Sequence, residues 1–430
     1  MAVVGAGPAG LYGAEALVKK GAQVDVFERL FAPHGLVRYG VAPDHQKIKR
    51  TTAVFDRILG LPEVRLRANV HIGVDLSVAE LQDHYDQVLI AMGSAGARDL
   101  GIPGEGLHGS LAAPDFVGWY NGHPDFSGIL PPLDDPVAII VGVGNVAIDV
   151  ARILLRDPST LVETDIARSA LEHLRTSRVR EVVLLARRGP DQAAFDVKEV
   201  RDLMEVAAVE VRHLGLRGER STDKGELIAS LPEAHLHGSA RRAVFRFCSS
   251  PREIIGEGDR VRQVRVEEND LVESASRLRA VGRGKTETLD AGLIIRAIGY
   301  RGHELPGVPF ESGSGTIPND RGAVLTHPGG ERVRQLYVAG WIKRGPTGLI
   351  GTNKADAVET VQTMEAALRH MGPAHDPEEL DDLLVERGVR EIDFAGWQRL
   401  DAWEKQAGVL EGAVRIKLAT AEAALDVLAR

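Results

Sequence analysis

Two glycine-rich turns constrain this chain more than any other feature: Gly5-Ala6-Gly7-Pro8-Ala9-Gly10 and Gly142-Val143-Gly144-Asn145-Val146-Ala147. Each follows a short apolar run and opens a helix-like pattern, the strand-turn-helix order in which glycines at this spacing have a mechanical task. At the first turn Gly5 permits the tight bend after Ala2-Val3-Val4. Gly7 lets the backbone approach a pyrophosphate, and Gly10 lets helix and strand pack closely, with the phosphates at the helix N-terminus. Ala9 lies inside the same turn. The helix expected from Leu11 to Lys20 stops at Gly21. Val24-Asp25-Val26-Phe27 then reads as a strand that ends in Glu28, an acid placed to accept hydrogen bonds from ribose hydroxyls.

The second turn follows Val137-Ala138-Ile139-Ile140-Val141, five consecutive apolar residues, the pattern of a strand buried on both faces of a parallel sheet. Its partner strand, Val182 to Ala186, ends in the pair Arg187-Arg188 rather than in an acid. An acid repels a phosphate on the adenosine ribose, whereas two guanidiniums grip it, so this site favours NADP over NAD. The spacing from Gly142 to Arg187 exceeds that of a minimal strand-helix-strand unit. An inserted polar helical excursion between Asp157 and Arg178 is expected to account for it.

Composition agrees. The chain has 430 residues, 44% of them hydrophobic, enough for two full cores, and its 47 glycines suit an α/β protein with many tight turns. A net charge of −9 argues against nucleic acid as a partner. The single cysteine, Cys248, excludes a Cys-x-x-Cys redox pair within the chain and is expected to be an ordinary core or near-surface residue. No run is long enough to cross a bilayer, and the first strand begins at residue 2 with no charged-then-apolar leader, so a cytoplasmic location is expected. No metal site is expected either, since His235 and His237 lack partners at ligand spacing.

Three acid-or-apolar strand outlines end at glycine: Tyr85 to Gly93, Asp290 to Gly299, and Leu336 to Gly340. They suggest an inserted domain entered and left through two crossings. The expected division is 1–92 and 302–430 for a discontinuous first domain, with 93–301 inserted and turns at Ser221 to Gly225 and at Glu257-Gly258-Asp259.

These residues carry a resemblance. The chain resembles the adrenodoxin-reductase type of NADPH-ferredoxin reductase along nearly its whole length. The likeness rests on the first glycine turn, on Gly35 to His45, on Gly144 to Arg152, on Arg187-Arg188-Gly189-Pro190, and on Gly340 to Lys354. It implies an α/β fold of two Rossmann-like dinucleotide-binding domains, the glutathione-reductase-like flavoprotein architecture, with an NADP domain inserted into a discontinuous FAD domain. It implies FAD contacts at Ala9, Glu28, Leu36, Ile72, Trp341 and Gly348, Leu349 and Ile350. NADP contacts are implied at Arg98, Val143, Gly144, Asn145, Val146, Arg187, Arg188, Glu199 and Gly348. His45 is implied to assist hydride transfer with an acid whose matching position is Asp202, an aspartate where a glutamate is expected.

Physical arguments attach to several of these positions. The amides of Gly348 to Thr352 and the following helix dipole can face a flavin, and Trp341 can cover it while its indole N–H finds a partner. The resemblance also implies a ferredoxin-type iron-sulfur partner. Such partners are acidic, as this chain is, so docking needs a local basic patch, for which Lys47, Lys49, Arg50, Arg241 and Arg242 are candidates. Two alternatives differ in the acceptor: a flavoenzyme feeding a synthase-type partner, and a flavin-bearing binding protein with little turnover.

Overall fold

A computed structural model describes residues 1–216, 221–234, 241–274, 277–368 and 378–430. The described chain groups into two compact units. One comprises Met1–Val41, His45–Gly96 and Tyr300–Arg430, and the other Ala42–Asp44 and Ala97–Gly299. The second unit therefore interrupts the first, and residues 42–44 pair with the insertion rather than with their chain neighbours.

In the first unit a sheet runs, edge to edge, through Asn319–Asp320, Ala323–Leu325, Arg332–Val338, Val88–Ile90, Ala2–Val4, Val24–Glu28 and Val64–Ala68. Its last five strands are mutually parallel. Alternation decides the two cores. Val3, Val26, Leu66 and Leu89 point to one face with the helices Pro8–Val18 and Ile350–Leu368, while Ala2, Val4, Phe27, Val88 and Ile90 fill the other. Burial on both faces is why these strands read as continuous apolar runs. The helix Phe394–Glu411 joins the first core through Trp397 and Leu400, while Trp403 remains partly exposed.

In the second unit an all-parallel sheet runs through Ser110–Ala112, Leu293–Arg296, Val137–Val141, Glu181–Leu185, Arg241–Arg246 and Val209–Leu214. One face packs on helices such as Asn145–Leu155 and Val197–Met204. The other is covered by Ile254, Val264 and Val266 of an antiparallel sheet, Ser249–Glu257, Arg260–Ser274 and Arg277–Asp290. Ile139 and Ile140 are fully buried, each worth about 1.5–3 kcal/mol by area removed from water.

Two local expectations are corrected. The segment from Asp157 to Arg178 is helical as expected but not merely polar: Leu161 in the turn Pro158–Leu161, Ile166 after it, and Ala170, Leu171 and Leu174 of the helix Arg168–Arg175 are buried in the core. Ser221 to Gly225 is not a turn between strands but a helix start: Thr222 caps the helix Asp223–Ser230 by accepting from Gly225 N–H. His235 and His237 lie outside the described residues.

Candidate functional site

The first glycine turn lies at the carboxyl end of Ala2–Val4, between Val24–Glu28 and Val88–Ile90, where the strand order reverses. Gly5 adopts φ 108°, and a Cβ there would fall 2.7 Å from the Ala91 carbonyl oxygen. A Cβ on Gly10 would fall 1.9 Å from the Gly5 carbonyl oxygen, so helix and strand approach as closely as the sequence required. Gly7 differs: its nearest neighbour is the Gly35 Cα at 3.9 Å, which leaves an open backbone surface. The helix it opens has no side-chain cap and no acid in its first turn, so its positive end is available to an anion.

Glu28 turns back onto this turn. One carboxylate oxygen accepts from Ala6 N–H at 2.9 Å and the other from Leu30 N–H at 3.0 Å. Burial pushes its carboxyl up, against the lowering pull of those amides and of Arg29. His34 N–H donates to the Ala6 carbonyl, which brings Gly35 and Leu36 beside the turn; Ile72 is buried in the second core of the same unit.

Ala9 is 2.6 Å from where a Cβ on Gly340 would sit, so Trp341 follows directly from a segment packed on the first helix. The Trp341 ring lies 5.5 Å from that of Tyr300. Its indole Nε1 is buried and has no hydrogen-bond partner among the described residues. Lys343 and Arg344 are absorbed by Asp356, at 2.9 Å each. Gly348 has φ 82°, Leu349 is 71% exposed, and Ile350 begins the helix. Not every amide here is open, however, because Leu349 N–H donates to Thr352 Oγ1.

The second turn repeats the first. Gly142 adopts φ 125°, with a hypothetical Cβ 2.2 Å from the Ala297 carbonyl oxygen, and the helix after Gly144 again has no side-chain cap and no first-turn acid. Val143 and Val146 pack against the core below it. Asn145 exchanges hydrogen bonds with Asp196, its Nδ2 donating to the carboxylate at 2.8 Å and its Oδ1 accepting from the Asp196 N–H at 2.7 Å. Arg187 and Arg188 stand at the end of Glu181–Leu185, and neither guanidinium has a hydrogen-bond or ion-pair partner among the described residues. Arg98 is exposed and held by its backbone to Gly299.

The Asp202 carboxylate pairs with Lys198, one turn earlier on the same helix. Glu199, three residues before it, points instead toward Arg152, 3.5 Å away. Arg152 is almost fully buried and also binds Asp149 at 2.6 Å and Asp44 at 2.6 Å; Arg156 adds a second cation on Asp44. Burial would lower the Arg152 guanidinium, but the Asp44 and Asp149 carboxylates outweigh it and hold it firmly charged. Sequence reading missed this cluster, although Asp149 and Arg152 stand at helical i,i+3 spacing. Asp44 immediately precedes His45, which opens the short helix Gln46–Lys49.

Two of the docking cations are structural. Lys49 is buried with Nζ on the Arg38 carbonyl, and Arg242 is buried against Glu181. Arg241 donates to the Leu155 carbonyl. Lys47 and Arg50 remain exposed.

Comparison with known proteins agrees with these features. The Pyridine nucleotide-disulphide oxidoreductase family matches residues 1–188. "NADPH-ferredoxin reductase FprA" of Mycobacterium tuberculosis is 42% identical over 98% of this chain and 97% of its own length. "NADPH:adrenodoxin oxidoreductase, mitochondrial" of Arabidopsis thaliana is 39% identical over 99% and 94%. The solved structure "Mycobacterium tuberculosis FprA in complex with NADPH" superposes with a TM-score of 0.91 at 41% identity, covering 99% of this chain and 98% of that one. Likeness at this level over nearly the whole chain places it in the adrenodoxin-reductase-type NADPH-ferredoxin reductase family.

Proposed function

We propose that this protein takes a hydride from NADPH and delivers electrons one at a time to a ferredoxin-type iron-sulfur protein, with FAD resident in the first unit and NADPH in the second. The observation that carries the reading is the Arg187-Arg188 pair, unpartnered among the described residues at the strand end where an adenosine ribose is recognised. A flavin-bearing binding protein has no need of such a site.

The residues of the first unit fit FAD. The uncapped helix after Gly7 and the open face of that glycine suit a pyrophosphate, Glu28 suits ribose hydroxyls, and the buried orphan Nε1 of Trp341 suits an acceptor of the ring system. FAD, when bound, supplies the conversion between a two-electron donor and one-electron acceptors. The chain contributes binding and orientation rather than a covalent nucleophile. Within the second unit Glu199 is proposed for the acidic role first expected of Asp202, because it alone of the two faces Arg152, which also holds Asp44. Asn145 fixes the helix bearing Glu199 through its paired bonds with Asp196.

Lys47 and Arg50 form the proposed contact for an acidic ferredoxin. A cytoplasmic location is proposed as well, since a single buried thiol suits a reducing compartment, and fractionation tests it. Among the described residues no helix is long and apolar enough to cross a membrane.

The decisive experiment purifies the protein, records its flavin spectrum, and measures NADPH-dependent reduction of candidate ferredoxins. A yellow protein that reduces one of them agrees with the reading. A protein that holds flavin and nucleotide yet passes no electrons to any iron-sulfur acceptor refutes it.

A further inference from the structure

Asn269 is a polar residue buried to 1% exposure in the long strand Arg260–Ser274, at the point where pairing with Arg277–Asp290 shifts register between Glu267 and Asn269. A buried amide persists where its hydrogen bonds are satisfied, and the partners of this one are on the anion site. Its Nδ2 donates to the Arg187 carbonyl at 2.9 Å and to Ser250 Oγ at 2.8 Å. Its backbone N–H donates to the Cys248 carbonyl at 2.7 Å, and the Cys248 N–H in turn donates to the Arg188 carbonyl at 3.2 Å. Cys248 makes this link in a left-handed conformation, φ 49°, unusual for a residue other than glycine.

Both carbonyls of the Arg187-Arg188 pair are thus pinned from behind, while the two guanidiniums are left without partners among the described residues. The same hairpin abuts the turn again at Leu271, whose Cδ1 lies 3.7 Å from a Cβ built on Gly189, and is tied to the adjoining strand by Arg246 and Glu287 at 2.6 Å. The bulge at Asn269 is what turns the amide toward the arginine strand instead of along its own sheet.

We infer that Asn269 is a positioning residue for nucleotide choice: it sets the aim of Arg187 and Arg188 and thereby selects the dinucleotide that carries a ribose 2′-phosphate. The inference rests on the proposed reading of that arginine pair. Without the Asn269 amide the Arg187 carbonyl loses its donor, the turn relaxes, and the two cations no longer converge on one phosphate. The cost then falls on NADPH and leaves NADH, which lacks the phosphate, unaffected.

The test uses purified FAD-containing enzyme and compares wild type, Asn269→Ala, Ser250→Ala and the Arg187→Ala/Arg188→Ala double variant. Steady-state kcat and KM are measured with NADPH and with NADH, and 2′,5′-ADP affinity by calorimetry. Asn269→Ala is expected to raise KM for NADPH and the Kd for 2′,5′-ADP by about five- to tenfold, the scale of one lost hydrogen bond. Its kcat, its constants for NADH and its flavin content stay as in wild type. Ser250→Ala, which loosens only the amide's second bond, moves the same constants by a smaller factor. An unchanged NADPH-to-NADH preference in Asn269→Ala, or equal loss with both nucleotides, overturns the inference. If Asn269→Ala does not fold, a wild-type preference in Ser250→Ala overturns it. Failure of the underlying reading looks different: the double arginine variant then keeps its preference for NADPH.

Discussion

Replacing Glu404 by alanine removes one half of an ion pair that joins residues 366 positions apart. Glu404 is fully buried on the helix Phe394–Glu411, and both its oxygens receive the Arg38 guanidinium, at 2.9 and 2.5 Å. Arg38 is 4% exposed and lies over the rings of Tyr39 and Trp397, so water cannot replace the lost carboxylate. Lys49 and Lys417 both donate to the Arg38 carbonyl and add positive charge nearby. Breaking one side of such a pair costs about 3–5 kcal/mol. For a unit of roughly half this chain, each kcal/mol lowers Tm by about 2–3 °C, giving a fall of about 6–15 °C. Because Arg38 directly follows the Gly35 to Val37 stretch beside the first glycine turn, flavin release should precede or accompany unfolding. Thermal melts followed by circular dichroism and flavin fluorescence measure both. The variant Arg38→Met/Glu404→Leu, which removes both members of the pair, is expected to recover part of the loss, with Arg415, Lys49 and Lys417 still charged nearby. The reasoning is refuted if Glu404→Ala melts within about 1 °C of wild type, or if the double variant is as unstable as the sum of its parts.

The same pair predicts a pH dependence. Burial raises the Glu404 carboxyl, but attraction and hydrogen bonds from Arg38, with Arg415 and the Leu418 N–H, outweigh it and hold the group below its usual value. A depressed folded value means the stabilisation is fully present above the unfolded value, about 4.3, and is lost as pH falls through the folded one. The Tm gap between wild type and Glu404→Ala should stay constant from neutral pH down to about 5.5 and close below about 4; a gap that widens in acid contradicts this. Trp341→Phe keeps a flat apolar ring but deletes the orphan donor, and should raise the Kd for FAD by about three- to tenfold in reconstitution titrations of apoprotein. Equal affinity would assign the indole N–H no part in flavin binding. Lys47→Glu/Arg50→Glu should slow ferredoxin reduction while sparing ferricyanide, and high salt should imitate it in wild type; slowing of both acceptors would place the defect elsewhere.

Much of this was legible because local chemistry decided it. Steric need at Gly5, Gly10 and Gly142 is written in the sequence, and a strand buried on both faces cannot avoid reading as an apolar run, as Val137–Val141 does. The residue closing each following strand, Glu28 in one and Arg187 in the other, is the sequence basis for the proposed difference between the two nucleotide sites. What escaped depends on which side chain a helix turns toward a distant element. Glu199 and Asp202 sit within one helical turn, and only the packing of Val197–Met204 beside Asn145–Leu155 aims the first at Arg152 and leaves the second to Lys198. Lys49 and Arg242 look like surface charges until the Arg38 carbonyl and Glu181 bury them. The Arg38–Glu404 pair spans nearly the whole chain and leaves no local trace. The apolar face of Arg168–Arg175 was hidden in a stretch whose overall composition is polar.

The central claim is that two guanidiniums, without partners among the described residues, choose the electron donor for a bound flavin. Anaerobic titration of the purified protein tests it directly, by following the flavin absorbance as NADPH or NADH is added. The account predicts bleaching by about one equivalent of NADPH, slow or incomplete bleaching by the same amount of NADH, and loss of that difference in Arg187→Ala/Arg188→Ala, a shift of at least about tenfold, or 1.4 kcal/mol. Bleaching by NADH as rapid as by NADPH in the unaltered protein, or a preference for NADPH that survives removal of both arginines, would contradict it.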